Sequence, residues 1–567
     1  MGRGVQRVAS FLVLMLVWTV LPGCGGGADG PPPPQTISPP PGGGVATIDD
    51  PFFIDQWHLK NTGQKTPTGK GLGTPGEDVN IEPAWNRGLL GQGIRIHVVD
   101  DGLEQGHEDL AANVLPGQGY NFWHVDNGCV APACTPNGLG PTDPSPASPS
   151  HNHGTSVAGV AAASANTVGG RGAAPGASLV GYNLLAGIDK DSDHATAMSH
   201  HAELAHINTN SWGHEDGGGL ILGAGPEWKS AVEQGVKTGR GGRGTIYLFA
   251  AGNGENPEPL PSDNSNSSGW ANNRHVMAIC AVDARGEKAN YSEKGANLWV
   301  CAPSSETDKN LDLPAITTTD RTGDPGYNDG STGPGGYPNP NYTNDFGGTS
   351  SATPLAAGVT ALVLQANPSL GWRDVRLILA ETARKNDPAD PDWNNIGINT
   401  VGGKYHHNHK YGFGVINADA AVQRATNWTN VGTQRLFSTT VKGVEVAIPE
   451  DNAAGVTDTI TVSGSGISSI EFIEITFKAG HGYSGDLNVT LTHADTGVQS
   501  KLAEQHLCDE DSTIEDFCGT YNNPAWVFGS ARHLGEAADG TWTLRVSDTA
   551  PGDVGTFHSW QLTFYGR

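Results

Sequence analysis

The sequence predicts an α/β protein built on a parallel sheet with helices on both faces, followed by an all-β sandwich. Up to about residue 430, short apolar runs alternate with helical stretches, the pattern of parallel strands joined by covering helices. From 431 to 567, segments such as GTWTLRVSD alternate apolar and polar residues between turn signals, as sandwich strands do. The 567 residues are enough for two folded domains.

The first 49 residues predict an export signal and a linker. Two arginines precede the apolar run 11–21, which is too short to span a bilayer as a stable helix. The run ends in LPGC, which resembles a bacterial lipobox, so we expect a signal over 1–24 and lipid on Cys24; a plain secretory signal is the alternative. Residues 25–49 are rich in proline and glycine and predict a linker. We therefore expect a secreted protein or an outer-membrane lipoprotein that contacts the membrane only through its lipid.

The net charge limits the kind of partner that the protein can bind, and the cysteine content indicates its compartment. The formal net charge of −26 argues against nucleic acid as a partner, because 59 acidic residues outnumber 33 basic ones and would repel its phosphates. There are seven cysteines, and lipidation of Cys24 leaves six. Proximity in the chain then pairs Cys129 with Cys134, Cys280 with Cys301 and Cys508 with Cys518. Such pairs imply an oxidising compartment.

Residues 50–430 are predicted to form the first folded domain, and four of its segments give the α/β pattern. IRIHVVD (94–100) predicts a buried strand that ends at a carboxylate, and TIYLFAAGN (245–253) predicts another buried strand. GTSVAGVAAASA (154–165) predicts a helix of small residues that packs closely on the sheet, and 350–367 a long, nearly all-apolar helix. Ligand sites of parallel sheets lie at the carboxyl edge, where the first strand delivers its carboxylate.

Three residues on these segments predict nucleophilic catalysis. Acyl transfer at a serine needs a base, an anion that orients the base, and donors for the oxyanion. Asp100 ends a buried strand, His153 precedes the small-residue helix, and Ser350 begins the apolar helix. Each alone is a common turn or helix-cap residue. Together, in the order Asp, His, Ser on an α/β pattern, they predict a catalytic triad.

The three segments resemble the signatures of the subtilase family of serine proteases, in VVDDGLEQGHEDL, HGTSVAG and GTSSATP. The resemblance implies a subtilisin-like fold and a serine endopeptidase. The family places the nucleophile directly after Gly-Thr, which favours Ser350 over its neighbour Ser351. Asn253, in FAAGNG, matches the family's oxyanion-hole asparagine.

The body is similar to the kexin and furin branch, the proprotein convertases. The similarity lies in the DDG at 100–102, SWGHEDGG at 211–218 and WRDVR at 372–376, and the tail resembles the P domain that follows the protease in that branch. The resemblance implies protein and peptide substrates, and a P domain over 431–567 that packs on the protease and stabilises it. An independent surface-binding sandwich is the alternative.

The resemblance also implies two calcium sites, because Ca²⁺ prefers six to eight oxygen ligands. The first would take side chains and loop oxygens from Asp50, Asp109, Ser164, Asn166, Val168 and Gly170. The second would take Asp216, Asp263 and Glu293, three anions that would repel one another without a cation. The alternative is a merely acidic surface.

Substrate selectivity is predicted from the carboxylates that the convertase branch uses to bind paired basic residues. Asp101, Glu215 and Asp216 are kept, but Ser268 stands where an aspartate would close the first pocket, and Ser150 and Ala186 replace acids of the second. Each lost anion removes a charge-assisted contact. We expect cleavage after a basic residue, without a strict requirement for two.

Two further alternatives concern folding and activity. Subtilases carry a pro-domain that assists folding, and only the linker lies between Cys24 and Asp50, so we expect unaided folding or a separate chaperone. A rival function is an adhesin or binding protein on an inactive protease scaffold, against which the complete triad and Asn253 count. An α/β-hydrolase esterase would need G-x-S-x-G and the order Ser, Asp, His, and the Ser350 segment has neither.

Overall fold

The protein is described here by a computed structural model, which covers most of the chain after the linker. The described residues are 48–66, 70–71, 73–123, 139–255, 263–308, 310–323, 326–328, 337, 339–394, 405–508 and 518–567. The predicted signal, nearly all of the linker, Cys24 and the Cys129–Cys134 pair lie outside them. Among the described residues, no helix combines the length and apolar composition needed to cross a membrane.

A six-stranded parallel sheet forms the centre of the first part, in the order β2-β1-β3-β4-β5-β6. Its strands are β1 Arg95–Val99, β2 Ser178–Tyr182, β3 Ile207–Asn210, β4 Ile246–Ala250, β5 Val276–Val282 and β6 Leu298–Pro303. Nearly every strand residue is buried, since helices cover both faces. The predicted fold class is confirmed.

Seven helices of the described chain and one strand pair accompany the sheet. They are α1 Glu82–Trp85, α2 His153–Ala162, α3 Asp191–Ser199, α4 Pro226–Gly242, α5 Gly348–Ala366, α6 Trp372–Thr382, α7 Ala418–Thr426, and the antiparallel pair β7 Ile316–Thr319 and β8 Tyr342–Phe346. The small residues of α2 allow close packing on neighbouring strands: a Cβ on Gly159 would lie 2.2 Å from the hydroxyl of Thr319 in β7. A Cβ on Gly154 would lie 2.8 Å from the Cβ of Asp100, so the helix also begins close to the carboxyl end of β1.

Two antiparallel sheets form the second part, with the strand orders β10-β17-β12-β15 and β11-β16-β13-β14; β9 also pairs with β17. The strands are β9 Arg435–Ser438, β10 Lys442–Ile448, β11 Val456–Val462, β12 Ile470–His481, β13 Leu487–His493, β14 Gln499–Ala503, β15 Trp526–Ser530, β16 Gly540–Asp548 and β17 Gly555–Gly566. Their inner faces bury a core that includes Phe477, Trp542 and Phe564. This is the predicted sandwich.

The sandwich packs on the first part through apolar and polar contacts. Phe472 and Tyr565 of the sandwich belong to the same buried cluster as the helices around the parallel sheet. Arg373 of α6 donates two hydrogen bonds of 2.6 Å to the carboxylate of Glu471 in β12. The side chain of Asn266 both donates to and accepts from the main chain of Gly529 in β15. The predicted packing of the two parts is therefore present.

Two of the predicted disulfides are present. Cys280–Cys301 joins β5 to β6 at positions that are partners in the strand register. Cys508–Cys518 closes a loop of the sandwich.

Candidate active site

The predicted catalytic residues lie at the carboxyl edge of the parallel sheet. Asp100, Ser211 and Asn253 follow β1, β3 and β4, which are neighbours in the sheet. His153 is the first residue of α2, and Ser350 is the third residue of α5. The fold thus delivers a carboxylate, an imidazole, a hydroxyl and an amide to one edge, where ligand sites of such sheets occur.

Asp100 and His153 form an orienting pair. The ring Nδ1 of His153 lies 2.8 Å from Oδ1 of the buried Asp100. Burial lowers the pKa of His153, but the charge and hydrogen bond of Asp100 outweigh it and raise the pKa above its usual value. The Phe346 ring packs edge-on against the imidazole, with centroids 5.3 Å apart. With Nδ1–H donated to Asp100, Nε2 is the nitrogen that accepts a proton.

Ser350 is accessible, whereas Ser351 is not. The Ser350 hydroxyl donates to the carbonyl oxygen of Ser211 at 3.2 Å rather than to His153, and the Ser211 hydroxyl donates back to the Ser350 carbonyl at 2.9 Å. Free enzymes often show such loose catalytic geometry, which tightens only when substrate binds. Ser351 is fully buried and bonded to the hydroxyl of Ser304 at 2.7 Å. Burial therefore argues for Ser350 as the nucleophile.

Asn253 is held with its amide nitrogen free to donate. Its Oδ1 accepts bonds from the main-chain N–H of Thr349 at 2.7 Å and from the Thr349 hydroxyl at 2.8 Å, which fixes the oxygen end of the amide. Its Nδ2 donates to Oδ2 of Asp216 at 3.3 Å, and its main-chain N–H donates to Oδ1 of the same carboxylate at 2.9 Å. The second hydrogen of the NH₂ group is left for an oxyanion.

Asp101 caps α2. Its two carboxylate oxygens accept the main-chain N–H groups of His153 at 3.1 Å and of Gly154 at 2.8 Å. Burial, followed by the charge of Asp100, raises the pKa of Asp101 to about 7. Both oxygens anchor the helix that presents His153, and the predicted contact of this carboxylate with substrate stays a prediction.

The other predicted selectivity residues meet in one pocket. The pocket is lined by 213–216, by 250–252, and by Leu222, Ser268 and Glu293, so it contains Glu215 and Asp216. Its wall is paired main chain: Leu222 N–H donates to Ser267 O at 3.0 Å, and Gly269 N–H donates to Leu222 O at 2.7 Å. Ser150 and Ala186 do not line it.

Asp216, Asp263 and Glu293 converge as predicted. Their carboxylates offer oxygens that all lie within 4.8 Å of one another. Glu293 is only 6% exposed, and burial, together with the charges of Asp263 and Asp216, raises its pKa well above the usual value. Burial also raises the pKa of Asp263. Mutual repulsion of this kind is what a bound cation would relieve.

The other predicted calcium ligands are also adjacent, with one unforeseen neighbour. Asn166 donates its main-chain N–H to Asp50 at 2.9 Å and its side-chain amide to Asp109 at 2.7 Å. Burial raises the pKa of Asp109 to about 7. Arg171 donates to Asp50 at 2.7 Å and so neutralises part of the site's charge.

The loop residues predicted to supply further oxygens to this site lie next to its side chains. Gly170 donates its N–H to the Asp109 carboxylate at 3.1 Å, and Val168 donates its N–H to the side-chain Oδ1 of Asn166 at 2.7 Å. The Ser164 hydroxyl is buried without a hydrogen-bond partner among the described residues. The main-chain N–H of Ser164 donates to the Asp109 carbonyl oxygen at 2.8 Å, and an unpartnered buried oxygen on the same residue is the kind of atom that a hard cation takes as a ligand.

Several residues of the site were missed by sequence reasoning. Ser211 begins SWGHEDGG and Thr349 lies in GTSSATP directly before the nucleophile. Both motifs had been identified, so the sequence did carry a signal for these two residues. Phe346 and Arg171 carried no such signal. His214, in the pocket wall, stacks on Trp270 with ring centroids 4.0 Å apart.

Comparison with known proteins agrees with this geometry. Residues 91–414 match the Subtilase family, and residues 470–564 match the Proprotein convertase P-domain. The chain is 31% identical over 525 residues to human Proprotein convertase subtilisin/kexin type 7, covering 91% of this chain and 60% of that protein. It is 31% identical over 526 residues to Protease KEX1 of Kluyveromyces lactis, covering 92% of this chain and 61% of that protein. The chain thus spans about 60% of the length of these curated relatives.

A solved structure is similar over nearly its whole length. The crystal structure of the Aeromonas sobria serine protease in complex with the chaperone ORF2 aligns with a TM-score of 0.78 at 27% identity. The alignment covers 92% of this chain and 95% of that chain, so it includes both the parallel sheet and the sandwich.

Proposed function

This chain belongs to the subtilase family, and from that membership we propose that it is an exported, calcium-dependent serine endopeptidase. The observation that carries the proposal is the 2.8 Å pair of Asp100 and His153 at the sheet edge that also holds the accessible Ser350. The substrates would be exported proteins or proteins of a host.

The proposed reaction follows from the positions of these groups. Nε2 of His153 takes the proton of the Ser350 hydroxyl as its oxygen attacks the carbonyl carbon of the scissile bond. Asp100 stabilises the resulting imidazolium, and the NH₂ of Asn253 donates to the oxyanion. His153 then protonates the leaving amine, and water hydrolyses the acyl-enzyme through the same base. Asp101 contributes by anchoring the helix end that carries His153.

Calcium would have a structural role in this proposal. Asp216, Asp263 and Glu293 would ligate one ion, and Asp50, Asp109 and Asn166 another, with oxygens of Ser164, Val168 and Gly170. The ion would supply positive charge to carboxylates whose pKa values are raised by burial and mutual repulsion. Because Asp216 also holds Asn253, charge neutralisation there would steady the oxyanion donor.

Cleavage after a basic residue is proposed from the charge of the first pocket. Glu215 and Asp216 line that pocket, whereas Ser268 offers only a hydroxyl. For the residue one position earlier, Ser150 and Ala186 provide no charge, so tolerance is expected there. Because Ser268 replaces the carboxylate that would close the first pocket, a basic substrate residue makes one charge-assisted contact fewer there.

The proposal also includes a folding partner and a location outside the cytoplasm. A separate folding chaperone is supported by the Aeromonas sobria protease, whose solved structure is a complex with the chaperone ORF2. Export, with lipid on Cys24 or without it, is proposed from the amino-terminal sequence. Mass spectrometry of the amino-terminal peptide from secreting cells would distinguish an acylated Cys24 from a simply cleaved chain.

The test of the proposed function is a set of matched peptides with Arg-Arg, Ala-Arg or Ala-Leu before the cut bond, assayed with wild type and Ser350→Ala. We expect kcat/KM for Ala-Arg far above Ala-Leu, with Arg-Arg within about tenfold of Ala-Arg. Ser268→Asp should raise the preference for arginine. An Arg-Arg advantage of about a thousandfold would refute the reading of the second pocket, and best cleavage of Ala-Leu would refute the basic preference. No cleavage by wild type would favour the inactive binding scaffold.

A further inference from the structure

The sandwich contacts the wall of the first substrate pocket through residues on both sides of the Cys508–Cys518 disulfide. Nε2 of His506 lies 3.0 Å from the carbonyl oxygen of Gly219, and the N–H of Ile221 donates to the carbonyl oxygen of Cys518 at 3.0 Å. Gly219 and Ile221 belong to the segment 217–222, which also provides Leu220 and Leu222 to the pocket lining.

The fit of the two segments is close. Gly219 has φ +63°, and a Cβ on it would lie 2.2 Å from the carbonyl oxygen of Leu507, so a side chain at this position would collide with the sandwich. A disulfide sulfur of Cys508 lies 3.4 Å from the Gly219 carbonyl oxygen. The Cys508–Cys518 disulfide therefore ties together the two points at which the sandwich meets 217–222.

His506 is built into this contact. It is only 7% exposed, and its Nδ1 lies 2.8 Å from the carbonyl oxygen of Glu504. A carbonyl oxygen accepts hydrogen bonds but does not donate them, so the bond to Gly219 is donated by the N–H at Nε2 of the ring. The ring thus links the backbone of its own segment to the backbone of the pocket wall.

The opposite side of 217–222 faces the acidic cluster and the pocket. The N–H groups of Gly217 and Gly219 each donate to Asp263 at 2.5 Å. Leu222 pairs with Ser268. The segment is therefore held by hydrogen bonds both to the sandwich and to the acidic cluster and the pocket wall.

We propose that His506 is a positioning residue for substrate binding: through the carbonyl of Gly219 it fixes the pocket wall 217–222 from the sandwich. The inference rests on the proposed peptidase function. Asp100, His153 and Ser350 lie on other segments, so loss of this bond should weaken recognition of the residue before the cut while sparing the reactivity of the nucleophile. The sandwich is then part of the specificity apparatus as well as a support.

Two substitutions separate the two bonds of His506. In His506→Gln the amide nitrogen reaches the position of Nε2 and keeps the donor to Gly219. In His506→Asn the amide nitrogen takes the position of Nδ1, which keeps the bond to Glu504 and removes the bond to Gly219. Both variants have similar polarity, so they form a matched pair.

The experiment measures two quantities in saturating calcium. One is KM for the Ala-Arg peptide, which depends on the pocket. The other is the rate constant for inactivation by diisopropyl fluorophosphate, a small reagent that reports the nucleophile. We expect His506→Asn to raise KM about tenfold, the effect of one hydrogen bond to a well-defined partner, with an inactivation rate within about twofold of wild type. His506→Gln should stay close to wild type in both.

Three outcomes overturn the inference. They are an unchanged KM in His506→Asn, equal impairment of the Gln and Asn variants, and a parallel fall of inactivation rate and peptide binding. If His506→Asn does not fold, His506→Ala, which also removes the bond to Gly219, is measured in the same way against His506→Gln; a KM equal to that of the Gln variant then overturns the inference. Wild type that neither cleaves peptide nor reacts with the reagent refutes the proposed function itself and the inference with it, whereas reactive wild type with an unaffected variant refutes the inference alone.

Discussion

Replacement of Asn253 by alanine tests the assignment of the oxyanion donor. In the structure the amide is oriented by Thr349, whose N–H and hydroxyl both donate to Oδ1, while Nδ2 keeps one hydrogen beyond its bond to Asp216. Alanine removes the donor and leaves the N–H of the buried Thr349 without its acceptor. The loss should therefore appear mainly in the chemical step.

The expected magnitude follows from the donor count. Loss of one preorganised oxyanion donor lowers kcat by about 10²–10³, or about 2.7–4 kcal/mol of transition-state stabilisation. Asn253→Asp keeps the acceptor for Thr349 but sets a second carboxylate about 3.3 Å from Asp216. At an effective dielectric constant of about 20, two charges at that distance repel by about 5 kcal/mol, and water around the exposed Asp216 reduces this. The aspartate variant should thus be at least as impaired as the alanine variant.

The assay is steady-state kinetics on the Ala-Arg peptide, with kcat and KM determined separately. Thr349→Ser, which retains both bonds to Asn253, is the matched control and should stay within about threefold of wild type. Thermal unfolding of each variant excludes loss of fold as the cause. A tenfold or smaller fall of kcat in Asn253→Ala, or a loss confined to KM, would refute the oxyanion role.

Four further predictions concern the nucleophile, the base, calcium and the contact between the two parts of the molecule. Ser350→Ala should abolish peptidase activity with the fold intact, and Ser351→Ala should retain substantial activity; the reverse pattern would contradict the assignment. Because the pKa of His153 is raised and the base must be neutral, kcat/KM should rise with pH through a midpoint above 6.5, and a midpoint well below 6 would be inconsistent with the Asp100 pairing. Excess chelator should lower the thermal unfolding temperature by several degrees, since an ion bound only to the native state stabilises it; an unchanged temperature would count against both calcium sites. Glu471→Gln should cost about 3–5 kcal/mol in thermal unfolding, more than Arg373→Met, in which the carboxylate keeps a second arginine 3.5 Å away; the opposite order would refute this reading of the ion pair.

The local part of the site was predictable from the sequence. Asp100 and Asn253 each end an apolar run, so the periodic pattern that predicts a buried strand also predicts where the side chain emerges. Ser350 follows Gly-Thr at the start of a long apolar helix, which locates a hydroxyl at a helix end. The sandwich was predictable because strict alternation of apolar and polar residues is a property of short segments.

Contacts between distant segments were not predictable in this way. Ser211 bonds to a residue 139 positions away, and His506 to one 287 positions away, so neither contact leaves a trace in local periodicity. Asp101 shows a subtler limit. The resemblance to the convertases suggested a substrate contact for it, whereas its bonds to the N–H groups of α2 depend on where that helix begins and were not foreseen.

The position of β17 in its sheet has a consequence for biogenesis. This strand follows all other strands of the sandwich in the chain, yet it pairs with β9, β10 and β12 at the centre of the sheet. Until it emerges from the ribosome, its partners have open edges that invite wrong pairing. The sandwich therefore completes its hydrogen bonding late in synthesis. On the proposal made above for His506, the wall 217–222 would take its final position only after this strand is in place.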